Sequence, residues 1–343
     1  MIYLDSAAKT KPLACAIEAF LAAPQGNSSS EHMMGKAARD ALEQAREKIA
    51  SLLDCDKDEI YFTSTATEAA WWAIKSMEDG GYYIIPSEYE HHAISENVSS
   101  AYDGRMSYAR MFANNETGEM FPHPFGIKEL CQLWLCDATA AVGHIPVSFK
   151  ELGCDYLLFD GIKFGGVSGA AALIAKKGAP LSPLIRGGGQ ERGMRSGTEN
   201  VPAICAMAAA LEWQTEHMEE NTAHLNGMRF FLINKLLKIQ GSKLNTPYYT
   251  APTLPHIINI SFDGVDAHAL TLLLSNEGIM VSAGAACSNG LNEPSHVIMA
   301  MFNDEARARS AIRISLSHDT TVDECVEAAQ KIAEAVAYLR RIS

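Results

Sequence analysis

Short apolar runs alternate with amphipathic stretches along almost the whole chain, and this alternation leaves few architectures open. A short apolar run bounded by Gly, Asn or Asp reads as a buried strand. A helix between two such runs lets them pair in parallel. Runs of this kind fall at 60–63, 82–85, 108–113, 133–136, 156–159 and 170–175. Between them, residues 35–53 place Ala38, Ala41, Leu42, Ala45, Ile49 and Leu52 on one helical face. Further helices are predicted over 67–75 and, as one long element, over 200–238. Pro, Thr and Tyr gather around 245–255, which reads as a domain junction. Beyond it the alternation resumes with strand-like runs at 257–262 and 311–316, a helix near 267–276 and a terminal helix from Val322. The expected class is α/β, with a smaller α+β unit at the end.

Composition narrows the function. A chain of 343 residues that is 48% hydrophobic has ample material for a large core. Its formal net charge of -13 argues against nucleic-acid binding, which needs basic patches. The opening Met1-Ile2-Tyr3-Leu4-Asp5 lacks the profile of a signal peptide, and no apolar stretch reaches membrane-spanning length. Eight cysteines are scattered without a CxxC pair, so neither a zinc knuckle nor a disulfide framework is suggested, and a reducing cytoplasm is expected. No metal site is expected. The nucleotide loops GxxxxGK[ST] and GxGxxG are absent, and the glycine-rich 187–193 lacks their spacing.

What remains is a set of polar residues at strand ends, where open α/β sheets bind ligands. Asp137 follows the run 133–136, Asn115 follows 108–113 and Lys163 follows 156–159. Thr67 sits where a strand yields to a helix N-terminus, a natural anion site. A lysine and an aspartate at adjacent strand ends suit a Schiff-base cofactor: the amine bonds an aldehyde and the carboxylate keeps a pyridine nitrogen protonated. Singly, each has a plainer reading. Lys163 could be a solvated surface lysine, Asp137 a turn former, and His91 an exposed loop histidine. Cys287 lies in the small-residue stretch 282–290, where it is either an inert buried thiol or a thiol on a loop able to travel. Arg313 interrupts an apolar run and needs an anion, either a substrate carboxylate or a structural partner.

Taken together, these segments resemble the cysteine desulfurases of the NifS/IscS type, in the class V aminotransferase group of fold-type-I pyridoxal-phosphate enzymes. Tyr3-Leu4-Asp5-Ser6-Ala7-Ala8 is similar to the family's YLDNAA, and Gly26-Asn27-Ser28-Ser29-Ser30 with His32 to its GNPSS…H. Residues 62–68 are close to FTSGATE. Glu90-His91, 113–116, Asp137-Ala138-Thr139, the block GGGQERGMRSGTEN at 187–200, Glu293-Pro294-Ser295-His296-Val297 and 312–316 complete the set.

The resemblance implies a large domain over 13–247 with a mostly parallel central sheet, and a small α+β domain from 1–12 and 248–343 carrying the cysteine loop. It implies that pyridoxal 5'-phosphate is held by Lys163, with Asp137 on the ring nitrogen, His91 stacked on the ring and Asn115 on the phenolic oxygen. Ala66 and Thr67 contact the phosphate, and Thr198 reaches it from the partner subunit of a homodimer. Arg313, with Asn27, binds the carboxylate of L-cysteine. Lys163, His91 and Cys287 are the implied catalytic residues. Cys287 takes the sulfur as a persulfide, alanine leaves, and the sulfur passes to a protein acceptor such as an iron–sulfur scaffold.

The sequence also departs from the family. Asp160 and Ile162 stand where a serine and a histidine help hold the cofactor, and a carboxylate beside a phosphate is repulsive unless protonated or turned away. Ala140 replaces a glutamine, Ser6 an asparagine, and the stretch from His91 to Asn115 is markedly shorter than in the family. Two other functions stay open beside the desulfurase: a selenocysteine lyase or other C–S lyase of the same fold, and a non-catalytic dimeric paralogue acting as a binding protein.

Overall fold

The computed structural model describes residues 1–99, 104–121, 131–284 and 293–342. They form two compact units: Thr10–Phe112 with Phe121–Met218, and Met1–Lys9 with Ala113–Met120 and Glu219–Ser343. Among the described residues the strands in chain order are β1 (Ile2–Tyr3), β2 (Ile60–Thr63), β3 (Tyr82–Pro86), β4 (Arg105–Ala109), β5 (Leu133–Asp137), β6 (Tyr156–Asp160), β7 (Ala171–Ala175), β8 (Ser242–Leu244), β9 (Ile257–Phe262), β10 (Ile279–Met280), β11 (Ser282–Ala283) and β12 (Ala311–Ser315).

The larger unit is built on a six-stranded sheet in the order β2-β7-β6-β5-β4-β3. Strands β3 to β6 pair in parallel, and β7 runs against both of its neighbours. The fold is therefore α/β with a mostly parallel central sheet. Strands β5 (LWLCD) and β6 (YLLFD) are buried along their whole length and are apolar until each ends in an aspartate. Alternation along a strand puts Leu133, Leu135 and Asp137 on one face, with Tyr156, Leu158 and Asp160 beside them. Those apolar residues pack with Ala69, Ala70, Ala73, Ile74 and Met77 of the helix Ala66–Asp79. Both aspartates consequently project on the side of the sheet that this helix covers, at the strands' carboxyl ends. Leu135 is fully buried, so Leu135→Ala there would cost about 2–5 kcal/mol.

The smaller unit has an antiparallel sheet in the order β11-β12-β9-β8 and a short parallel pair, β1 with β10. Its core joins Ile258, Ile260, Phe262, Ile312 and Ile314 to Leu225, Leu232 and Leu236. The last three lie on the helix Met218–Leu236. The compact units part at 218/219. The Pro, Thr and Tyr around 245–255 lie in the turn after β8.

Two expectations change. The strand expected over 108–113 is β4, Arg105–Ala109. Arg110 N–H and Phe112 N–H still donate to the Leu135 and Asp137 carbonyls, but Met111 N–H turns to the Glu90 carboxyl and ends the regular ladder. The long helix over 200–238 is two helices, Val201–Glu216 and Met218–Leu236. No Gly or Pro marks the break. His217 makes it locally, stacking on Trp213 with ring centroids 4.3 Å apart and bonding the Trp213 carbonyl at 2.8 Å through Nδ1.

Candidate active site

The turn that carries Lys163 is fixed from several directions. Strand β6 ends at Asp160, and residues Gly161–Lys163 make one tight helical turn. The Lys163 carbonyl accepts from Thr10 Oγ1 at 2.5 Å and meets His144 Nε2 at 2.9 Å. Thr10 N–H donates to the Ile162 carbonyl and Leu13 N–H to that of Gly165, both at 2.9 Å, while Gln214 Nε2 donates to that of Phe164 at 3.0 Å. Desolvation pushes the His144 imidazole down to about 4, against the opposing pull of the Lys163 carbonyl. His144 is thus neutral at pH 7, and the carbonyl contact requires its Nε2 to carry the hydrogen. Gly143 makes the close approach possible. Its φ is +82°, and a Cβ there would lie 2.4 Å from the Phe164 Cβ.

Asp137, at the end of β5, is 8% exposed. Its Oδ1 accepts the Thr139 N–H at 2.8 Å, and its backbone carbonyl accepts that of Phe112. Glu90 lies close enough to feel its charge. Burial first, and then Asp137, push the Glu90 carboxyl up to about 8, although Ser87 Oγ and Met111 N–H both donate to its Oε1. His91 follows and caps the short helix His92–Ser95, its Nδ1 accepting from Ala93 N–H at 3.0 Å. That contact leaves Nε2 as the protonated nitrogen of a neutral ring.

The helix Ala66–Asp79 starts beside these strand ends. Thr65 caps it by accepting the Glu68 N–H, and Thr67, the second helical residue, is exposed. Asp160 reaches across to it: Oδ2 accepts the Ala66 N–H at 3.1 Å and Oδ1 the Ile162 N–H at 3.2 Å. Burial raises the Asp160 carboxyl above its ordinary value, with the two N–H donors and Lys163 opposing and Asp137 reinforcing. Lys163, Asp137, Asp160 and Ala66 are therefore one electrostatic cluster, with His91 next to the glutamate that joins it.

The block 187–200 is pinned to the edge strand β2 by a buried ion pair. Arg46, on the helix Met33–Leu53, makes a bidentate pair with Glu191 at 2.7 and 3.0 Å, and Phe62 N–H donates to the same carboxylate. Arg192 donates to the Ile60 carbonyl, and Arg195 pairs with Glu68 at 2.7 Å. Glu191 and Arg192 both have positive φ, +47° and +59°, so these contacts hold a backbone shape that ordinary residues resist. Ser28 Oγ donates to Glu199 Oε2 at 2.6 Å, which ties the segment of Asn27 to the segment of Thr198. Asn27 and Thr198 are both exposed.

The remaining expected residues belong to the smaller unit. Arg313 is 2% exposed and lies on β12. Its Nη1 donates to the Asn115 carbonyl at 2.9 Å and its Nη2 pairs with Asp5 at 3.0 Å, so the plainer expectation, a structural partner, is present. Its Nε is buried without a hydrogen-bond partner among the described residues. Ser6, in place of the family's asparagine, donates to the carbonyls of Ser315 and Leu316. Cys287 lies outside the described residues. Sequence reasoning did not single out Thr10, His144, Gln214, Arg46 or the Glu90 carboxyl. Glu90 alone left a signal, as a charged residue beside His91 within a quoted motif.

A lysine turn and a buried aspartate thus stand at neighbouring parallel strand ends, beside a helix N-terminus. Comparison with known proteins gives the family. The family description "Aminotransferase class-V" matches residues 2–107 and 104–327. A cysteine desulfurase IscS from Methanosarcina thermophila is 33% identical, covering 100% of this chain and 93% of its own. One from Dictyoglomus turgidum is 35% identical, over 100% and 96%. A solved NifS-like protein superposes with a TM-score of 0.87 at 32% identity, covering 98% of this chain and 99% of its own. The chain belongs to the class-V aminotransferase family, among the cysteine desulfurases of the NifS/IscS type.

Proposed function

We propose that this protein is a pyridoxal-phosphate-dependent cysteine desulfurase, converting L-cysteine to L-alanine and passing the sulfur through Cys287 to an acceptor. The observation that carries the reading is the joint position of Lys163 and Asp137 at the ends of β6 and β5, close enough that both charges act on Asp160. The donor set suits the cofactor at its ring end: an amine on a braced turn and a buried acceptor-only carboxylate. At the phosphate end it offers a helix N-terminus, Thr67 and the pinned 187–200 block, together with the unexpected carboxylate of Asp160.

When bound, pyridoxal 5'-phosphate supplies an electron sink next to the substrate's Cα. The protein's part is positional and protonic. Lys163 would hold the aldehyde and move the proton at the substrate's Cα. Asp137 would keep a proton on the ring nitrogen, and His91 would assist proton transfer through Nε2. Asn115 would bond the phenolic oxygen. Arg313 and Asn27 would hold the substrate carboxylate. Thr67 and Ala66 N–H would take phosphate oxygens, joined by Thr198 of the second subunit in a homodimer. The Cys287 thiolate attacks the substrate sulfur, the carbon–sulfur bond breaks with its electron pair going to carbon, and that carbon takes a proton. Alanine leaves and Cys287 keeps the extra sulfur. The reading includes a cytoplasmic setting and a protein acceptor such as an iron–sulfur scaffold. No helix among the described residues is long and apolar enough to cross a membrane.

The test is an absorption spectrum of the purified protein before and after cysteine, with sulfide and alanine measured. A yellow protein, colourless as Lys163→Ala, that releases sulfide in a Cys287-dependent way is the expected result. Activity on selenocysteine with cysteine inert and Cys287→Ala fully active would replace it by a lyase. A protein that stays colourless with added cofactor would replace it by a binding role.

A further inference from the structure

We propose that Asp160 is a built-in anion at the phosphate end of the cofactor cradle, so that the phosphate binds there only together with a proton. The inference rests on the reading that pyridoxal 5'-phosphate is held at Lys163. It starts from a contact: the Asp160 carboxylate, 5% exposed, already occupies the N–H that opens the helix Ala66–Asp79. A helix N-terminus attracts an anion through its unpaired N–H groups and its dipole. Here the chain supplies that anion itself, with Oδ2 on Ala66 N–H and Oδ1 on Ile162 N–H. A phosphate approaching the same helix meets a negative charge at the same donor.

The surroundings decide how the conflict resolves. From β5, Asp137 faces Asp160 and repels its charged form, while Lys163, on the turn beyond β6, attracts it. On the helix, Glu68 adds a carboxylate that Arg195 neutralises at 2.7 Å. From β7 the residue opposite Asp160 is Ala171, which carries no charge. Behind Asp137 stands the Glu90 carboxyl. No cation is paired directly with Asp160 among the described contacts, so a second anion beside it drives it to take up a proton. Protonated, it changes from acceptor to donor and gives its O–H to a phosphate oxygen, a short charge-assisted bond. Binding and proton uptake are then linked: above the carboxyl's pKa in the empty site, affinity falls toward tenfold per pH unit.

The experiment measures cofactor affinity, not turnover. Pyridoxal 5'-phosphate is titrated into the apo forms of the unaltered protein, Asp160→Ser and Asp160→Asn at several pH values, following absorbance and tryptophan fluorescence. Pyridoxal, which lacks the phosphate, is the second probe. Expected at pH 8 is a Kd at least tenfold lower for both variants with the phosphorylated probe, and one nearly unchanged with pyridoxal. Calorimetry in buffers of different ionisation enthalpy should show about one more proton taken up by the unaltered protein than by Asp160→Ser. Equal Kd values and equal proton counts across the three proteins overturn the proposal, as does an equal gain with pyridoxal. Having two variants guards against one misfolding, which a thermal melt reveals. Borohydride trapping at Lys163 tests the underlying reading separately: if no protein gives a Lys163-dependent adduct, that reading fails and this inference with it.

Discussion

Strands β5 and β6 lie side by side and end in the same residue, yet their two aspartates face different tasks. Asp137 takes one N–H, from Thr139 in its own turn, and stands next to another carboxyl, Glu90. Asp160 takes two, and one belongs to a helix it does not share a segment with. Under the proposed function the first charge is required by the reaction and the second opposes the cofactor's own charge. What separates them is the position of the helix N-terminus relative to each strand end, since residue type and burial are nearly the same. The sharpest way to break this comparison is to neutralise each in turn. Asp137→Asn should lower kcat by about a hundredfold or more, the scale expected when one preorganised charge is removed from a buried site. Asp160→Asn should tighten cofactor binding instead. Losses of similar size at both positions, seen in steady-state rates at saturating cofactor, would mean that the two aspartates do not differ in role.

Glu90 sharpens the same contrast, because it shows what a carboxyl near Asp137 does when no helix N-terminus relieves it. Its pKa is pushed up to about 8 by burial and by Asp137. A carboxyl raised this far is neutral in the folded protein while the unfolded chain ionises it above its ordinary value. The associated stability is therefore fully present below about pH 4.5 and is lost as pH rises toward 8. Glu90→Gln removes that dependence and keeps the acceptor for Met111 N–H. Thermal melts should show the variant gaining on the unaltered protein by a few kcal/mol between pH 5 and pH 9. Parallel melting curves across that range would mean that Glu90 is ionised in the fold.

The difference between the two strand ends also marks how far the sequence could be read. LWLCD and YLLFD announce two buried strands, and the aspartates closing them announce strand ends, because an apolar run buried on both faces tolerates a charge only where it emerges. The positions of Lys163, on the turn after β6, and of Thr67, in the first turn of a helix, were legible from the strand ends before them. The motif block 187–200 was legible as a resemblance, and its physics is a buried pair between Arg46 and Glu191, 145 residues apart. Nothing local in the sequence of the helix Met33–Leu53 points to that partner. The turn around Lys163 is similar: Thr10, His144 and Gln214 come from three distant segments, and each looks like an ordinary polar residue until the chain folds. The strand over 108–113 was misplaced for a related reason, since a side-chain carboxyl took the N–H that would have continued the ladder.

His144 supplies the smallest expected effect, on the lysine side of the comparison. Its imidazole is held down to about 4 by desolvation, so the folded protein keeps it neutral where the unfolded chain begins to protonate near 6.5. For a histidine with a lowered pKa, stability is present above the unfolded value and is lost as pH falls from about 6.5 toward 4. This loss runs opposite to that of Glu90. His144→Ala should flatten the acid limb of the stability curve, by on the order of 1–2 kcal/mol given that the residue is only half-buried. It also removes one of two partners of the Lys163 carbonyl, worth about 1 kcal/mol net. The lysine should then react with the cofactor aldehyde a few-fold more slowly. His144→Gln can still donate to that carbonyl, so it should restore most of the rate while leaving the acid limb flat. If Gln restores neither the rate nor the acid limb, the imidazole's packing, and not its hydrogen bond, positions Lys163.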